Sequence, residues 1–400
     1  MNFEDGPREA ALRREAREWL EHNAPPREDT APAGLVYEVA RREDLEPARA
    51  WQRRKAEARW AGITWPERYG GRGGTVIDQV IFQQEEARFA VPPDPFLVGV
   101  GLCGPTLMAH GTDEQRDRFL GPILTGEEVW CQLFSEPGAG SDLAGLRTRA
   151  ERDGDDWTIT GRKVWSSGAH YADWGILPAR TDPTVPKHAG LTYFLVDMHA
   201  EGVTARPILQ MSGDATFNEV FLDGVRVPDA HRVGDVGAGW TVTRTTLMHE
   251  RMTMAGGVFE PLRFADLLAL ARRTGRLGDP VLRQRLADIA VRLEGLRFTG
   301  YRTLTEIARA GKPGPSGSIG KLTLANVVQE ACCLALELLG PEGAAGDEGA
   351  YWRKAFTEAP YLRIAGGTDE IQRNIIAERV LGLPPEPRVD LDVPFEELAA

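Results

Sequence analysis

Apolar and polar positions follow two periods, set out in three blocks along the chain. Over 7–22, Leu12, Ala16, Trp19 and Leu20 recur on one helical face, and a second helical stretch passes through Trp51, Ala58 and Trp60. Thr112-Asp113-Glu114-Gln115 matches a capping box and opens a further helix. From 129 to 228 the period shortens to that of strands, over 129–135, 157–160, 191–198, 203–209 and 218–227, with Pro and Gly between them. Beyond Gly239 the helical spacing returns: Leu282, Leu286, Ile289, Leu293 and Leu296 repeat at three and four, capped by Asp279-Pro280 and ended by Gly311. Another helix spans 318–339, and a last one opens at Thr368 and stops at Leu381-Gly382. The proline-rich tail after it reads as loosely tied. The order predicts an α+β protein with a helical N-terminal domain over 1–127, an antiparallel β middle domain over 128–232 and a C-terminal helical bundle over 233–400.

Four stretches carry candidate chemistry. The loop Ser135-Glu136-Pro137-Gly138-Ala139-Gly140-Ser141-Asp142 stops a strand with turn residues that expose backbone N–H groups. After a hairpin at Asp153-Gly154, Lys163-Val164-Trp165-Ser166-Ser167-Gly168 ends a second strand with an indole beside two hydroxyls. That grouping can stack on a flat ring and hydrogen-bond its edge, although a plain hairpin with a core Trp has the same pattern. On the helix over 241–257, Thr243, Thr246, Glu250, Thr253 and Gly257 form a stripe of small residues holding one carboxylate. A ligand could lie there with a base aimed at it; a solvent-facing or Arg-paired Glu is the alternative. Gly366-Gly367-Thr368 at a helix start exposes free N–H groups, but Asp369 and Glu370 in the first turn would repel phosphate, which favours ribose or amide partners. Gly99, Gly101 and Gly104 have the spacing of a dinucleotide fingerprint. No strand precedes them and His110-Gly111 interrupts the short helical run after them, so a Rossmann reading is rejected.

Bulk properties narrow the classes. At 400 residues the chain exceeds what one core supports, and a hydrophobic share of 42% with 26% charged residues is globular. A net charge of -12 argues against nucleic acid or an anionic membrane as main partner. The four cysteines have no metal or disulfide spacing, which suggests a reducing cytoplasm and no metal. Charges alternate through the first residues and no apolar run approaches about 18, so neither export nor a membrane span is expected.

SEPGAGSD (135–142), KVWSSG (163–168), FNEVFLDGVRVP (217–228) and GGTDEIQRNIIAERVLG (366–382) together resemble the acyl-CoA dehydrogenase family, in the family's order and over 65–382. The resemblance implies FAD as cofactor. Leu133, Phe134 and Ser135 would lie along the isoalloxazine, and Gly140 and Ser141 would sit in the loop where CoA and flavin meet. Trp165, Ser166 and Ser167 would border the ring, Thr368 and Glu370 would meet the adenosine, and Arg251 would stand beside the active site. The implied reaction takes the α-hydrogen of an acyl thioester as a proton and the β-hydrogen as hydride, giving a trans-2-enoyl-CoA. That needs donors on the thioester oxygen and exclusion of water.

Two departures from the commonest family pattern matter. Many members carry the catalytic Glu directly before the Gly-Thr of the last motif, where this chain has Gly366, which keeps only its N–H for the thioester oxygen. A minority, resembling isovaleryl-CoA and long-chain acyl-CoA dehydrogenases, places the Glu on the long helix before an arginine; here that is Glu250, the residue the small stripe also singles out. At Arg272-Arg273 the family's following Gln-Phe-Gly is missing, so a role across a subunit interface is open. The expectation is an FAD-dependent acyl-CoA dehydrogenase with Glu250 as base, acting on a branched or bulky acyl group and passing electrons to an electron-transferring flavoprotein. It would be a homotetramer or an α2β2 heterotetramer. A half-site subunit and an acyl-CoA oxidase are the alternatives.

Overall fold

The computed structural model describes residues 5–27, 42–255, 262–310 and 314–398, and these pack as two compact units. One contains 1–38, 75–91 and 251–385; the other contains 39–74, 92–250 and 386–400. The division falls inside one helix, between Glu250 and Arg251. The Gly311 stop and Gly257 lie outside the described residues.

The first unit is helical. Its members are α1 (Pro7–Asn23), α3 (Val76–Glu86), α7 (Phe264–Arg273), α8 (Pro280–Ala310), α9 (Gly317–Leu339), α10 (Pro341–Ala345), α11 (Ala350–Glu358) and α12 (Asp369–Ile375). The leucine repeat behaves as its spacing requires: Leu282, Leu286 and Ile289 of α8 are buried against Val327, Val328 and Leu334 of α9. Asp279 Oδ1 accepts from the N–H groups of Val281 and Leu282, so the cap of α8 is in place. Among the described residues α9 alone is long and apolar enough to cross a membrane, yet residues along its whole length are core. Helices α1 and α3 meet through a buried carboxylate, Glu85, which accepts from Arg13, Arg17 and Arg88 at 2.9–3.1 Å.

The second unit begins with α2 (Leu45–Glu57), α4 (Gly104–His110) and α5 (Asp113–Thr125). The capping box forms: Thr112 Oγ1 accepts from the Gln115 N–H while Gln115 Oε1 accepts from the Thr112 N–H. The fingerprint-like glycines form a π-helical turn, Gly99–Cys103, that leads directly into α4. A Cβ at Gly104 would lie 2.0 Å from the Trp65 ring, so that glycine serves a helix–indole contact.

Eight strands follow: β1 (Trp130–Gln132), β2 (Arg149–Asp153), β3 (Asp156–Lys163), β4 (Trp174–Arg180), β5 (Leu191–Asp197), β6 (Val203–Pro207), β7 (Asn218–Pro228) and β8 (Arg232–Val233). They make one sheet in the order β6-β7-β3-β2-β4-β5-β8, with β1 added parallel to β4. The other pairings are antiparallel except for a single parallel pair between β2 and β4. On β5, Leu191, Tyr193 and Leu195 join the core shared with α4 and α5, while Phe194 and Val196 join the core on the other face. Both faces are covered, which is why this strand reads as a continuous apolar run. The last helix, α6 (Gly239–Ala255), docks through hydroxyls: Thr246 Oγ1 lies 3.0 Å from both Thr106 Oγ1 and Tyr193 Oη, and His110 bonds Thr245.

The tail is not loose. Phe395 and Glu396 donate their N–H groups to the Val185 and Pro183 carbonyls, and the Phe395 ring lies 3.6 Å from the Arg180 guanidinium carbon. Proline content hid this anchorage because its partners lie far away in sequence.

The three arginines hold the Glu85 pKa down to about 2 against the rise that burial alone would cause. Its charged form therefore stabilises the fold fully above the unfolded carboxylate range near 4.3, and that contribution is lost as pH falls through about 2. Glu85→Gln is expected to cost on the order of 2–3 kcal/mol at pH 7 and to flatten the acid limb of a urea-melt series between pH 4.5 and 2.

Candidate active site

The loop 135–142 leaves β1 and returns as a tight turn, with mutual N–H to carbonyl bonds between Glu136 and Ala139. Glu136 points inward. One carboxylate oxygen accepts from the Arg147 N–H at 2.7 Å, and the other from the Thr148 N–H and Lys163 Nζ, both at 2.9 Å. Lys163, at the end of β3 and 0% exposed, also donates to the Phe134 and Pro178 carbonyls. Burial opposes both charges. The lysine pKa is pulled down by it, whereas the Glu136 carboxyl is held below the usual range by Lys163 and the two N–H donors.

The strand end beyond Lys163 turns on Trp165, whose φ of 64° is left-handed, a strained conformation for an aromatic residue. The indole is 58% exposed and meets Phe217 edge-on. Asn218 at the start of β7 holds the turn: its N–H and its side-chain amide both donate to the Ser166 carbonyl, and its own carbonyl accepts the Ser166 N–H. Gly168 has φ 67°, and a Cβ there would sit 2.6 Å from the Tyr171 hydroxyl. The Ser166 hydroxyl is buried without a partner among the described residues.

Leu133 and Phe134 have their side chains in the two core layers, so this strand end offers a ligand its backbone and Ser135. Gly138, Gly140 and Ser141 are exposed, and a Cβ at either glycine would meet nothing within 4 Å. Open space over a braced loop, an exposed strained indole and an orphan hydroxyl together fit a flat, hydrogen-bonding ring system such as a flavin.

On α6, Thr243 and Thr246 of the small-residue stripe are buried and bonded within the protein, so they dock the helix. Glu250 is half-buried, and Gln132 Nε2 of β1 donates to its carboxylate at 3.3 Å. Gln132 escaped the sequence reading because only the pairing of β1 with the sheet brings it to α6. Arg251 is exposed, and nothing is described of the Thr253 side chain.

In the helical unit, Gly366 and Gly367 have φ of 63° and 92°, and their carbonyls accept from Gln372 and Lys321. Thr368 caps α12 by accepting the Ile371 N–H, while the Glu370 side chain is exposed beside it. Arg272 and Arg273 end α7 on the surface, Arg273 facing Glu348 at 3.6 Å.

Residues 6–127, 131–225 and 237–381 match the acyl-CoA dehydrogenase N-terminal, middle and C-terminal domains respectively. The chain belongs to the acyl-CoA dehydrogenase family. It is 41% identical over 385 residues to the acyl-CoA dehydrogenase IpdE1 of Mycobacterium tuberculosis, covering 94% of this chain and 98% of that protein. The solved structure of the Tcur3481-Tcur3483 steroid ACAD is similar at 31% identity and a TM-score of 0.81, over 96% of this chain and 100% of that one. The ChsE4-ChsE5 complex from Mycobacterium tuberculosis is similar at 30% identity and 0.75, with the same coverage. This acyl-CoA dehydrogenase is accordingly an FAD-dependent oxidoreductase.

Replacing Lys163 by Met leaves the Glu136 charge buried and unpaired, with an expected loss of about 3–5 kcal/mol. The purified variant should also carry less FAD, read as the ratio of flavin to protein absorbance. Glu136→Leu added to Lys163→Met should recover part of the stability in a thermal melt while the loop, now without its brace, still binds flavin poorly.

Proposed function

We propose that this enzyme dehydrogenates a branched or bulky acyl-CoA thioester between its α and β carbons, with Glu250 as the base. The single observation that carries this reading is the environment of Glu250. Its carboxylate is half-buried on α6 and accepts from Gln132, on the strand that runs into the flavin loop. Gly366, where many relatives carry the base, offers no side chain.

FAD, when bound, supplies the acceptor for the β-hydride. Glu250 takes the α-proton, and its hydrogen bond from Gln132 restricts the carboxylate to one orientation. In the helical unit Gly366 keeps an N–H in a conformation natural to glycine, a group able to donate to a thioester oxygen. In the second unit Trp165 and Ser166 would line the flavin ring and Ser141 would contact the substrate; in the helical unit Arg251 would serve the substrate and Thr368 and Glu370 the adenosine of FAD. Electrons leave to an electron-transferring flavoprotein. The free state of all four cysteines suits a reducing cytoplasm.

The similar steroid ACAD supports a ring-bearing acyl group. Two of the similar structures bear two-chain names, which favours a second reading of assembly: this chain pairs with a related chain in an α2β2 heterotetramer, in place of four identical copies.

Anaerobic mixing with a panel of acyl-CoAs, followed by flavin absorbance, tests both. Bleaching should be fastest with branched or ring-bearing thioesters, and Glu250→Gln should slow it about 10²- to 10⁴-fold at unchanged flavin content. Equal bleaching by both proteins would move the base elsewhere, and preference for short straight chains would overturn the substrate class. A chain that purifies colourless and gains flavin only with a second chain would identify the heteromer. Gln132→Leu should lower the bleaching rate with little change in acyl-CoA affinity, and Gln132→Asn should fall between it and the wild type.

A further inference from the structure

The tail segment 386–398 crosses the second unit and contacts the same framework that carries the cofactor loop. Lys187 is the junction. Its ammonium lies 2.7 Å from Asp142, the last residue of the loop, and 2.6 Å from Asp390 of the tail. Lys187 itself is only 5% exposed, so both carboxylates reach inward to it.

Lys187 sits on the connection between β4 and β5, which is closed tightly: Thr181 donates its N–H to the Gly190 carbonyl, and a Cβ at Gly190 would be 1.9 Å from the Asp182 carbonyl oxygen. The tail adds to this connection as a short antiparallel rung at Pro186 and Pro394, continued by the Phe395 and Glu396 N–H bonds already described. Beneath the rung lies Arg180, buried, donating to the carbonyls of Ala144, Leu146 and Lys187. The Phe395 ring covers the guanidinium of Arg180 and lies 5.5 Å from that of Arg147. Residues 142–147 are thus gripped from two directions by groups whose outer side is the tail.

We infer that residues 386–398 are a strap that sets the shape of the loop 136–147, acting through Lys187 and Arg180 as positioning residues for acyl-CoA and FAD. The inference rests on the reading of 135–142 as the loop where the two ligands meet. Ala139, Leu143, Ala144 and Leu146 are core, whereas Gly140, Ser141 and Asp142 between them are exposed in succession, and no packing of their own fixes these three. Glu136 fixes the near end of the loop. The strap fixes its far end, so the N–H groups between the two keep one arrangement and the ligands need not order them on binding.

Phe395→Ala and Lys187→Met are expected to raise KM for acyl-CoA about five- to tenfold while kcat stays within twofold. Deflavinated protein titrated with FAD, followed by fluorescence quenching, should show a weakening of similar size. Phe395→Tyr keeps a ring over Arg180 and should behave as the wild type. Truncation after Pro385 should reproduce the Phe395→Ala effect. Ser141→Leu, within the loop, separates the two ideas. If Ser141→Leu weakens both ligands but the tail variants weaken neither, the strap is overturned and the loop reading stands. If Ser141→Leu changes nothing, the loop reading fails and the strap falls with it. Tail variants that lose kcat and melting temperature in parallel, with Phe395→Tyr equally damaged, would also overturn it, because the tail would then serve stability alone.

Discussion

The structure around the site depends on one buried ion pair, Lys163 with Glu136. A charge removed from water is tolerable only when its partner and its remaining hydrogen bonds are all supplied. Here they are. The ammonium meets a carboxylate and two carbonyls, and the carboxylate meets two backbone N–H groups besides the lysine. The pair spans four pieces of chain: the end of β3, the loop after β1, the strand β4 through Pro178, and the residues that lead into β2. A glycine-rich turn and a strained indole turn are thereby fixed to the same framework, and neither could keep its form alone.

Everything that faces outward at this place depends on what is satisfied inside. The Trp165 conformation, costing on the order of 1–3 kcal/mol, is sustained by the bonds from Asn218 and by the sheet behind it. Those bonds occupy the backbone of Ser166 and leave its buried hydroxyl without a protein partner among the described residues. Unspent polarity beside an exposed ring surface is what a flat, hydrogen-bonding ligand would use. The same logic holds on α6, where the buried threonines use their hydroxyls to dock the helix while the half-buried Glu250 carboxylate receives the Gln132 amide.

Much of this is legible in the residues. Period and capping signals locate α5, α8 and α9 closely, since a helix with an apolar stripe and a capping box needs little beyond its own sequence to choose its ends. The strand segments are legible too, because apolar runs broken by Pro and Gly have few other solutions. The motif at 163–168 reads as an indole beside two hydroxyls, and the structure adds that the Ser166 hydroxyl has no partner among the described residues and that the Trp165 backbone is strained. Two expectations differ from the structure. The small stripe on α6 is at Thr243 and Thr246 a docking face, and the tail is anchored. Composition could not reveal either, because a threonine facing a ligand and one facing Tyr193 look alike in one dimension.

What the sequence determined by itself is the kind of elements, their order and the identity of the residues able to do chemistry, because propensity, periodicity and functional-group type are properties of short stretches. What only the tertiary structure decided is which of those residues share a neighbourhood. The pairing of β1 with β4 carries Gln132 to Glu250, and β3 beside β7 carries Trp165 to Asn218. The folding of the tail carries Phe395 to Arg180. Such contacts join segments with no local signal for one another. They exist because the buried polar groups and apolar faces of the whole unit have one arrangement in which nearly all of them are satisfied together.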